Sequence, residues 1–426
     1  MDKDSQKEGI VYIKTFGCQM NFHDSDILRE LLIQSGYLIA GKPDDAGTII
    51  FNTCTVRDHA DSKFYSELGR YSKSDKKIIV AGCLSQIAGR SLIKRAPFVH
   101  AVVGPQYLYE IPHIITGGSV ILTDDNPEFY IHSRPEIKKL SASVDIMYGC
   151  SRFCSYCIVP YTRGREISRR PDDIYDEVCR AAENGAREIT LLGQNVNAYS
   201  YEDIDFAALL KKIAAISRIS RIKFMSPNPA SMTDRQIREI SYIPKCVPHI
   251  HLPLQSGSDR ILKLMKRGYN SSGYMKKVEK IEKYIKDAIL TTDIIVGFPT
   301  ETEQDFEQTL KIVGDVGFFN SFMFCYSKRS GTQAGAMEGQ VSMVVSKERL
   351  GRLIEYQQNI TVKKLERYKG SIMSIFVDKQ KESGFAGRTR QDIVINVKSG
   401  SAVLGKFVPV EVCGISKHTL KGKELA

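Results

Sequence analysis

The sequence predicts an α/β protein with an N-terminal parallel α/β domain, a central open barrel of six βα units and a small basic C-terminal domain. Short β-branched runs alternate with stretches of helical periodicity in two separate regions, which is the pattern of parallel sheets covered by helices. A length of 426 residues exceeds one ordinary domain. The last part of the chain, residues 367–426, contains 11 Lys or Arg and 5 Asp or Glu, so a net charge of +6 is concentrated there.

The first domain is predicted from three strands in about the first 125 residues. The runs GIVYIKTFGC, GTIIFNTC and KKIIVAGC are short, rich in β-branched residues and bounded by turn residues, which favours buried parallel strands. The intervening stretches DSDILRELLIQSGY and HADSKFYSELGRYSK place apolar residues at helical spacing. We expect Asp24 or Ser25 to be the N-cap of the first of these helices.

Each of these three strands ends at a cysteine, namely Cys18, Cys54 or Cys83. In an open α/β sheet the carboxyl ends of parallel strands meet at one edge, where ligands bind. Three thiols delivered to that edge can hold one metal ion or cluster. The alternative is that cysteine, a small and frequently buried residue, ends each strand by chance. Because all three strands share the feature, the sequence favours a metal site with three protein ligands.

The central domain is predicted from six further strands, SVDIMYG, REITLLGQN, RIKFMSP, HIHLPLQ, LTTDIIVGF and SFMFCYSK. Helical stretches separate them, among which are PDDIYDEVCRAAENGA, SYEDIDFAALLKKIAAIS and SDRILKLMKRGYNSSGYMKKVEKIEKYIKD. Six βα units are fewer than a closed barrel has, so we expect an open barrel with its site at the carboxyl ends of the strands. Asp293 lies inside the fifth strand, and other polar residues cluster at the strand ends: Gln194, Asn195, Ser226 and Gln255.

The segment GCSRFCSYC follows the first central strand and carries Cys150, Cys154 and Cys157. A structural zinc site would need a further Cys or His pair at short spacing, and none follows in the sequence. His249 and His251 alternate with apolar residues on a predicted strand, which is more typical of histidines near a core than of metal ligands. This segment is therefore a second set of three thiols without a fourth protein ligand.

The CxxxCxxC spacing of Cys150, Cys154 and Cys157, on the loop after the first strand of a barrel, resembles the radical S-adenosylmethionine superfamily. In that superfamily three thiolates hold a 4Fe-4S cluster. The fourth iron binds the amino and carboxylate groups of the methionine part of S-adenosylmethionine. The resemblance implies that the missing fourth ligand is the cofactor itself.

Further motifs resemble the methylthiotransferase family of this superfamily over nearly the whole chain. TFGCQMNFHDSD, NTCTVRDHADSKFYSELGR and VAGCLSQ resemble its N-terminal domain, and GCSRFCSYCIVPYTRGREISR, LLGQNVNAY, HLPLQSGSDRILKLMKRGY and DIIVGFPTETEQDF resemble its radical domain. GRTRQDIVINV and VLGKFVPVEVCGISKHTLKG resemble the TRAM module, a small OB-like β-barrel that binds RNA, and the alternating pattern and basic charge of this region agree with it. The implied domains are residues 9–125, 136–366 and 367–426.

The resemblance to this family implies two 4Fe-4S clusters and S-adenosyl-L-methionine as cofactors. The implied cluster ligands, all of them catalytic, are Cys18, Cys54 and Cys83 for the first cluster and Cys150, Cys154 and Cys157 for the second. The second cluster would cleave S-adenosylmethionine to a 5′-deoxyadenosyl radical, and the first would hold the sulfide that is methylated and transferred. The residues expected to bind S-adenosylmethionine are Tyr156, Gln194, Asn195, Ser226 and Gln255.

The reaction implied by the resemblance is methylthiolation of carbon 2 of N6-isopentenyladenosine beside the anticodon of a tRNA. The alternatives are a methylthiotransferase that acts on threonylcarbamoyl-adenosine in tRNA or on an aspartate of a ribosomal protein, and an iron–sulfur RNA-binding protein without catalysis. The forms TFGCQMN and NTCTVR favour the isopentenylated substrate. The basic C-terminal region favours RNA over a basic protein, because opposite charges steer association.

The implied partners are the anticodon stem-loop of tRNA and an external electron donor such as a flavodoxin or ferredoxin, and we expect a monomer. The first residues, MDKDSQKEGI, are charged and polar, which is not typical of a signal peptide. No apolar run approaches the ~18 residues that a membrane span requires. We therefore expect a cytoplasmic enzyme without a membrane partner.

One position departs from the family pattern. Where that family usually has Ser-Pro-His-Pro or Ser-His-Pro after the third central strand, this sequence has Ser226, Pro227, Asn228 and Pro229. Asparagine can still form hydrogen bonds but does not titrate near neutral pH. This difference argues against a proton-transfer role at Asn228.

Overall fold

A computed structural model describes residues 9–55, 58–124, 138–416 and 418–425 of the chain. The predicted boundary between the first two domains, at residues 125 and 136, lies outside the described residues. The chain divides into two compact units. The first unit comprises Met1–Ile137, Tyr148–Phe153 and Cys157–Arg169, and the second comprises Lys138–Met147, Cys154–Tyr156 and Arg170–Ala426.

The N-terminal part of the first unit is a parallel sheet covered by helices, as the sequence predicts. Its elements are β1 (Ile10–Thr15), α1 (Gln19–Gln34), β2 (Leu38–Ile39), β3 (Thr48–Thr53), α2 (Asp58–Gly69), β4 (Lys77–Gly82), α3 (Cys83–Arg95), β5 (Ala101–Val103), α4 (Ile111–Thr116) and β6 (Val120–Leu122). The six strands are parallel and lie in the order β2-β1-β3-β4-β5-β6. Successive side chains of a strand point to opposite faces, and β3 accordingly contributes Ile50 to one core cluster and Ile49 and Phe51 to another.

The predicted N-cap of the first helix is wrong. Helix α1 begins directly after Cys18, which occupies the N-cap position with extended backbone angles. Asp24 and Ser25 lie inside the helix, where their side chains have other partners. Asp24 accepts a hydrogen bond from Arg163, and the Ser25 hydroxyl lies 2.7 Å from that of Thr15.

The segment that follows contains β7 (Ser141–Asp145), β8 (Met147–Tyr148), α5 (Val159–Arg163) and β9 (Ile167–Ser168). The remaining central elements are α6 (Pro171–Glu183), β10 (Glu188–Leu192), β11 (Ser200–Tyr201), β12 (Ile204–Asp205), α7 (Phe206–Ala214), β13 (Arg221–Phe224), α8 (Asp234–Tyr242), β14 (His249–His251), α9 (Asp259–Leu264), α10 (Ser271–Tyr284), β15 (Ile289–Val296), α11 (Glu303–Val316), β16 (Asn320–Cys325), α12 (Gln333–Ala336) and α13 (Met343–Glu366).

The six predicted central strands are confirmed as β7, β10, β13, β14, β15 and β16. They form two three-stranded parallel sheets, β13-β10-β7 and β14-β15-β16, which are joined by a parallel bridge between Ile222 and Cys246. Apolar side chains on one face, such as Ile189, Leu191 and Ile294, pack into the largest core cluster together with the helices. The opposite face, called the inner face below, is mostly polar, because alternation along the strands places residues such as Glu188 and Asp293 there.

Two predicted central helices differ from the structure. The first part of SYEDIDFAALLKKIAAIS forms the hairpin β11–β12, and α7 starts only after Asp205, whose side chain caps the helix by accepting from the Ala208 N–H at 2.9 Å. The stretch predicted as one helix over residues 258–287 is two helices, α9 and α10. Lys266 and Gly268 between them have φ of 56° and 73°, which a continuing helix does not allow.

The C-terminal region is a closed five-stranded barrel, which confirms the predicted small β-barrel. Its strands are β17 (Ile372–Lys381), β18 (Gly384–Arg388), β19 (Val394–Val397), β20 (Phe407–Ser416) and β21 (Thr419–Glu424). They close in the order β17-β18-β19-β21-β20 around an apolar interior. A closed barrel leaves no unpaired sheet edge, which suits a small domain.

A buried ionic network joins this barrel to the central sheets. Arg221, the first residue of β13, donates to Glu188 at 2.8 Å and to Asp392, in the turn between β18 and β19, at 3.0 Å. A third donor of the same guanidinium bonds the carbonyl of Thr389 at 2.9 Å, and Lys223 lies 2.9 Å from Glu188. Lys223 also lies 3.5 Å from Asp392, so Arg221 and Lys223 are shared by both carboxylates near the amino ends of the central strands.

The pKa values of the two carboxylates reflect this pairing. Burial opposes ionisation of Glu188, but Lys223 and Arg221 outweigh it and lower the pKa. Burial is likewise the largest influence on Asp392 and would raise its pKa. His249, Lys223, Arg388 and Arg221 outweigh burial and hold the pKa of Asp392 far below the usual range. Because both pKa values are depressed, the network stabilises the fold above the pH at which unfolded carboxylates titrate. That stability is lost as the pH falls through the folded values.

Replacing Arg221 by Met should destabilise the second unit by about 3–5 kcal/mol, because two buried carboxylates lose their shared cation. Urea unfolding followed by circular dichroism would measure the change in the free energy of unfolding. The matched control is Arg235→Met, which removes an exposed partner of Asp205 and should cost less than about 1 kcal/mol. Equal effects of the two substitutions would contradict the prediction.

Candidate active site

The three strand-end cysteines of the first unit lie at neighbouring positions of one sheet edge. Cys18, Cys54 and Cys83 follow β1, β3 and β4, and these strands are adjacent and parallel in the middle of the sheet. Cys54 and Cys83 are buried, and Cys18 is partly buried. The structure therefore brings together residues that are far apart along the chain, as the strand pattern predicts.

Two glycines allow the three turns to approach each other. A Cβ atom on Gly17 would lie 2.2 Å from the Cβ of Cys54, and one on Gly82 would lie 2.4 Å from the carbonyl oxygen of Thr53. Both glycines also have positive φ, +126° and +94°, which L side chains rarely adopt. Any side chain at either position would push the cysteine turns apart.

The thiols of this edge differ in their acidity. The pKa of Cys18 is lowered to about 6, chiefly because the Cys54 thiol donates a hydrogen bond to it, with the positive charge of Arg163 assisting against burial. In its neutral form the Cys18 thiol donates to the side-chain oxygen of Asn21 at 3.2 Å. Burial raises the pKa of Cys83, and Arg163 opposes that rise. A thiolate is the form that binds metal, and Cys18 reaches it more easily than Cys83 does.

Arg163 is the charged group of this edge that sequence reasoning did not single out. Its side chain is buried, donates to the Cys83 sulfur at 3.3 Å and pairs with the Asp24 carboxylate at 2.5 Å. Burial alone would lower the pKa of Arg163, but Asp24 and the thiols raise it well above its usual value, so the guanidinium stays charged. A fixed cation beside the thiols favours their ionised, ligating form.

The chemistry of the cysteine edge suits an iron–sulfur cluster. Across the described residues, no group of three His, Cys, Asp or Glu side chains is close enough to hold one metal ion. A 4Fe-4S cluster is held by cysteine thiolates, each bound to a different iron. Converging turns, a low thiol pKa and a buried guanidinium all suit such a group.

Backbone hydrogen bonds hold the segment that carries the second cysteine triplet. In the first unit, the N–H of Cys150 donates to the carbonyl of Gly164 at 3.1 Å. In the second unit, the backbone of Ser155 bonds to the carbonyl of Met265 at 3.1 Å and accepts from the N–H of Ala334 at 2.7 Å. The hydroxyl of Ser155 also donates to the Leu264 carbonyl. The middle of the cysteine segment is therefore held rigidly by backbone contacts.

A second buried arginine lies beside this triplet. Arg267 donates to the Cys154 sulfur and to the Tyr156 hydroxyl, both at 3.3 Å, and to the carbonyl of Pro253 at 3.3 Å. Burial opposes its charge, but Tyr156, Tyr269 and Cys154 raise its pKa well above the usual value. Each cysteine triplet thus has one thiol within hydrogen-bonding distance of a buried guanidinium. Arg163 and Arg267 each directly precede a glycine with positive φ, Gly164 and Gly268. An Arg-Gly pair is too common in sequences to have identified these two arginines beforehand.

The strand-end polar residues of the second unit have features of a binding site. The amide oxygen and nitrogen of Gln194 and the amide oxygen of Gln255 are buried and lack a hydrogen-bond partner among the described residues. Ser226 and Gln255 have φ of 60° and 71°, which is costly for a residue with a side chain and typical of functional sites. Asn195, which directly follows Gln194, is also buried. Buried amides at this edge fit a polar ligand such as S-adenosylmethionine.

The position that departs from the family pattern has a structural role. The side-chain oxygen of Asn228 accepts from the N–H of Ala230 at 2.9 Å, and its backbone exchanges two hydrogen bonds with the side chain of Asn197. His249 and His251 both bond the hydroxyl of Thr291, at 2.9 and 3.1 Å. These residues are therefore satisfied within the protein, as expected of a turn residue and of near-core histidines.

Comparison with known families defines the class of protein. A profile of the Radical SAM superfamily matches residues 144–313, and one described as Uncharacterized protein family UPF0004 matches residues 10–104. The chain is thus a radical SAM enzyme. Its relatives include proteins named tRNA-2-methylthio-N(6)-dimethylallyladenosine synthase from Caldicellulosiruptor saccharolyticus, 42% identical over 98% of this chain and 93% of the relative, and from Aquifex aeolicus, 39% identical over 97% and 98%. The chain belongs to the family of these synthases, which confirms the predicted family.

Solved structures agree on the fold. The radical S-adenosylmethionine methyltransferase TsrM from Kitasatospora setae, with cobalamin and a [4Fe-4S] cluster bound, superposes with a TM-score of 0.53 over 76% of this chain and 77% of its own, at 14% identity. The cobalamin-dependent enzyme OxsB gives a TM-score of 0.53 over 82% of this chain and 56% of its own, at 11% identity. In the described residues, none of the helices combines the length and apolar character needed to cross a bilayer.

Replacing Asp24 by Ala should destabilise the first unit by about 3–5 kcal/mol, because Arg163 would remain as a buried cation without its carboxylate. Hydrogen exchange of the full chain would show the loss as reduced protection of the amides of β1, β3 and β4. Glu67→Ala serves as the control, since it removes the partner of a largely exposed arginine, Arg70. Unchanged protection in the Asp24 variant would show that the buried pair contributes little.

Proposed function

We propose that this chain transfers a methylthio group to carbon 2 of N6-dimethylallyladenosine beside the anticodon of tRNA. The family membership supports the substrate, because the relatives are named for it. The observation that carries the proposal is the convergence of Cys18, Cys54 and Cys83 at adjacent strand ends of the first unit. A second set of three thiols leaves one iron of a second cluster open, which suits a site that holds sulfur for transfer.

Two 4Fe-4S clusters are proposed, each held by three thiolates and each therefore with one iron free of protein ligands. Cys150, Cys154 and Cys157 are assigned to the radical cluster on their spacing. Cys18, Cys54 and Cys83 are assigned to the auxiliary cluster. When bound, the radical cluster and S-adenosylmethionine supply a carbon radical that removes hydrogen from an unactivated aromatic carbon, and the auxiliary cluster supplies sulfur.

The residues of the chain hold these groups and tune their charge. Arg267 and Arg163 each donate to a cysteine sulfur, so that each cation offsets part of the negative charge that thiolates bring to a buried site. Gln194 and Gln255 offer buried amide groups that orient a zwitterionic ligand through hydrogen bonds. Asn195, Ser226 and the backbone of Tyr156 complete the proposed cofactor site.

The proposed partners and organisation follow the sequence predictions. The C-terminal barrel, from residue 367, would bind the tRNA backbone through exposed lysines such as Lys421 and Lys423. A flavodoxin or ferredoxin would supply electrons, and the enzyme would act as a cytoplasmic monomer with domains 9–125, 136–366 and 367–426. Basic charge on the barrel favours RNA over the alternative of a basic ribosomal protein as substrate.

The role of the strand-end triplet can be tested with Cys54→Ala in the reconstituted enzyme. The radical cluster should remain, so dithionite and S-adenosylmethionine should still yield 5′-deoxyadenosine at a rate near that of the wild type. Methylthiolated tRNA should fall to background, because the sulfur-bearing cluster has lost a ligand. Mass spectrometry of the digested nucleosides and the iron content of the protein, expected at roughly half, provide the measurements.

The control for this variant is Cys413→Ala, which alters an exposed cysteine of the C-terminal barrel and should leave both products unchanged. Cys154→Ala should yield neither 5′-deoxyadenosine nor methylthiolated tRNA, and the first unit should retain its iron. Normal methylthiolation by the Cys54 variant would refute the assignment of the triplet as the sulfur site.

Binding of tRNA to the C-terminal barrel predicts a steep salt dependence. Replacing Lys421 and Lys423 by Gln should weaken binding and reduce the slope of log K against log salt concentration by roughly 1 to 2, because each phosphate contact releases a counterion. Charge variants are preferable to deletion of the barrel, since deletion would remove Asp392 from its buried cations. Lys311→Gln, at an exposed site on α11, is the control, and an equal slope in all three proteins would count against the barrel as the RNA site.

A further inference from the structure

The inner face of β15 and β16 carries an apolar surface formed by Phe322, Phe324 and Ile295, called the apolar wall below. It lies beside the carboxylate of Asp293. The two strands are parallel, and their register pairs Asp293 with Phe322 and Ile295 with Phe324. Paired residues on neighbouring strands project to the same face of a sheet. Asp293, Phe322, Ile295 and Phe324 therefore share one face.

The residues between them establish which face this is. Ile294 and Met323 pack into the core cluster between sheet and helices, and the Ser321 hydroxyl donates to Gln357 of α13 at 2.7 Å. Because side chains alternate along a strand, Asp293 and Phe322 must point away from the helices, onto the inner face. The ring of His251 confirms this direction, since it meets the ring of Phe322 edge to face with centroids 5.7 Å apart.

The wall is open to a ligand. Phe322 is 47% exposed, so much of its ring is available to a ligand. Asp293 is 29% exposed at its side chain and lies 3.4 Å from Nε2 of His251, which can hold the carboxylate in place without covering it. A large aromatic surface and a carboxylate thus lie next to each other and remain accessible.

The geometry points to this wall as the subsite for the modified N6 position of the substrate adenosine. Phe322 contacts the dimethylallyl group, and Asp293 accepts the hydrogen bond of the N6–H. The complementarity is specific, because the N6 nitrogen of this substrate carries one donor and one branched apolar group on the same atom. An acceptor and an aromatic surface in register on adjacent strands match that pair of groups.

The location supports the assignment, which rests on the proposed function. Gln255, proposed to bind S-adenosylmethionine, donates from its N–H to the carbonyl of Asp293 at 2.8 Å, and its own carbonyl accepts from the N–H of Ile295 at 2.9 Å. The wall is therefore bonded directly to the residue that would hold the cofactor. Hydrogen transfer requires the two reacting groups to be close, and a base held against Phe322 lies on the strand pair that is bonded to Gln255.

The subsite can be tested by binding, without turnover. Two anticodon stem-loop RNAs that differ only in the dimethylallyl group would be titrated into the reconstituted enzyme without reductant, and fluorescence anisotropy would give both dissociation constants. The wild type should bind the modified RNA at least roughly tenfold more tightly, as an apolar group enters an apolar subsite. Phe322→Ala should bring this ratio close to one and leave the affinity for the unmodified RNA within about twofold.

Three further variants separate the contributions. Phe322→Leu keeps an apolar surface and should retain most of the preference. Asp293→Ala should weaken the binding of both RNAs by a similar factor, because the adenosine of each RNA carries a hydrogen on N6. Tyr242→Ala is the control, since it removes a 72% exposed aromatic ring at the end of α8 and should change neither affinity.

The outcomes distinguish this inference from the function on which it rests. A Phe322→Ala variant that keeps the full preference would overturn the subsite, as would a wild type that methylthiolates its tRNA but binds both RNAs equally. An unchanged affinity of the Asp293→Ala variant for both RNAs would show that the carboxylate is not part of the subsite. A reduced wild type that yields 5′-deoxyadenosine but no methylthiolated tRNA would instead show that the proposed function is wrong.

Discussion

Parallel strands present their carboxyl ends at one edge of a sheet, and the chemistry of this chain depends on that constraint in both units. In the first unit, three strands adjacent in space place Cys18, Cys54 and Cys83 along one edge. In the second, the same constraint brings Gln194 and Gln255 to the ends of their strands. The backbone hydrogen bonds of the sheets therefore fix the positions of groups that no local sequence could hold together, and the helices serve mainly to bury the opposite faces.

Buried guanidinium groups are the second recurring element. Thiolates and an iron–sulfur cluster bring negative charge into a site that the protein otherwise keeps dry, and an unpaired buried charge is costly. Arg163 and Arg267 each direct a donor at a cysteine sulfur, and Arg163 has Asp24 to balance it when the thiols are neutral. Arg163 is therefore paired with a carboxylate while the thiols are neutral, and it places a cation beside them when they are ionised.

Much of the fold follows from the sequence, because β-branched runs and helical periodicity are local signals. All the strands predicted in the first two domains are present, and the cysteine edge follows from them. The N-cap at Cys18 was missed because the polar side chains of Asp24 and Ser25 resemble a cap, whereas their partners come from β1, β3 and α5. Arg163 was missed for a related reason, since the thiol that it contacts lies 80 residues away and only tertiary packing unites them.

The buried contact of Arg221 with Asp392 has a consequence for how this family can be recombined. A terminal barrel that merely trailed on a linker could be exchanged between relatives like any tethered module. Here the turn at Asp392 supplies a counter-charge to residues at the amino ends of the central strands, so the barrel is part of the folding unit of the enzyme core. A chimera with the barrel of another relative must therefore also contain matching partners for that turn, at the positions of Arg221 and Lys223. Otherwise the core of the chimera contains buried charges without counter-ions.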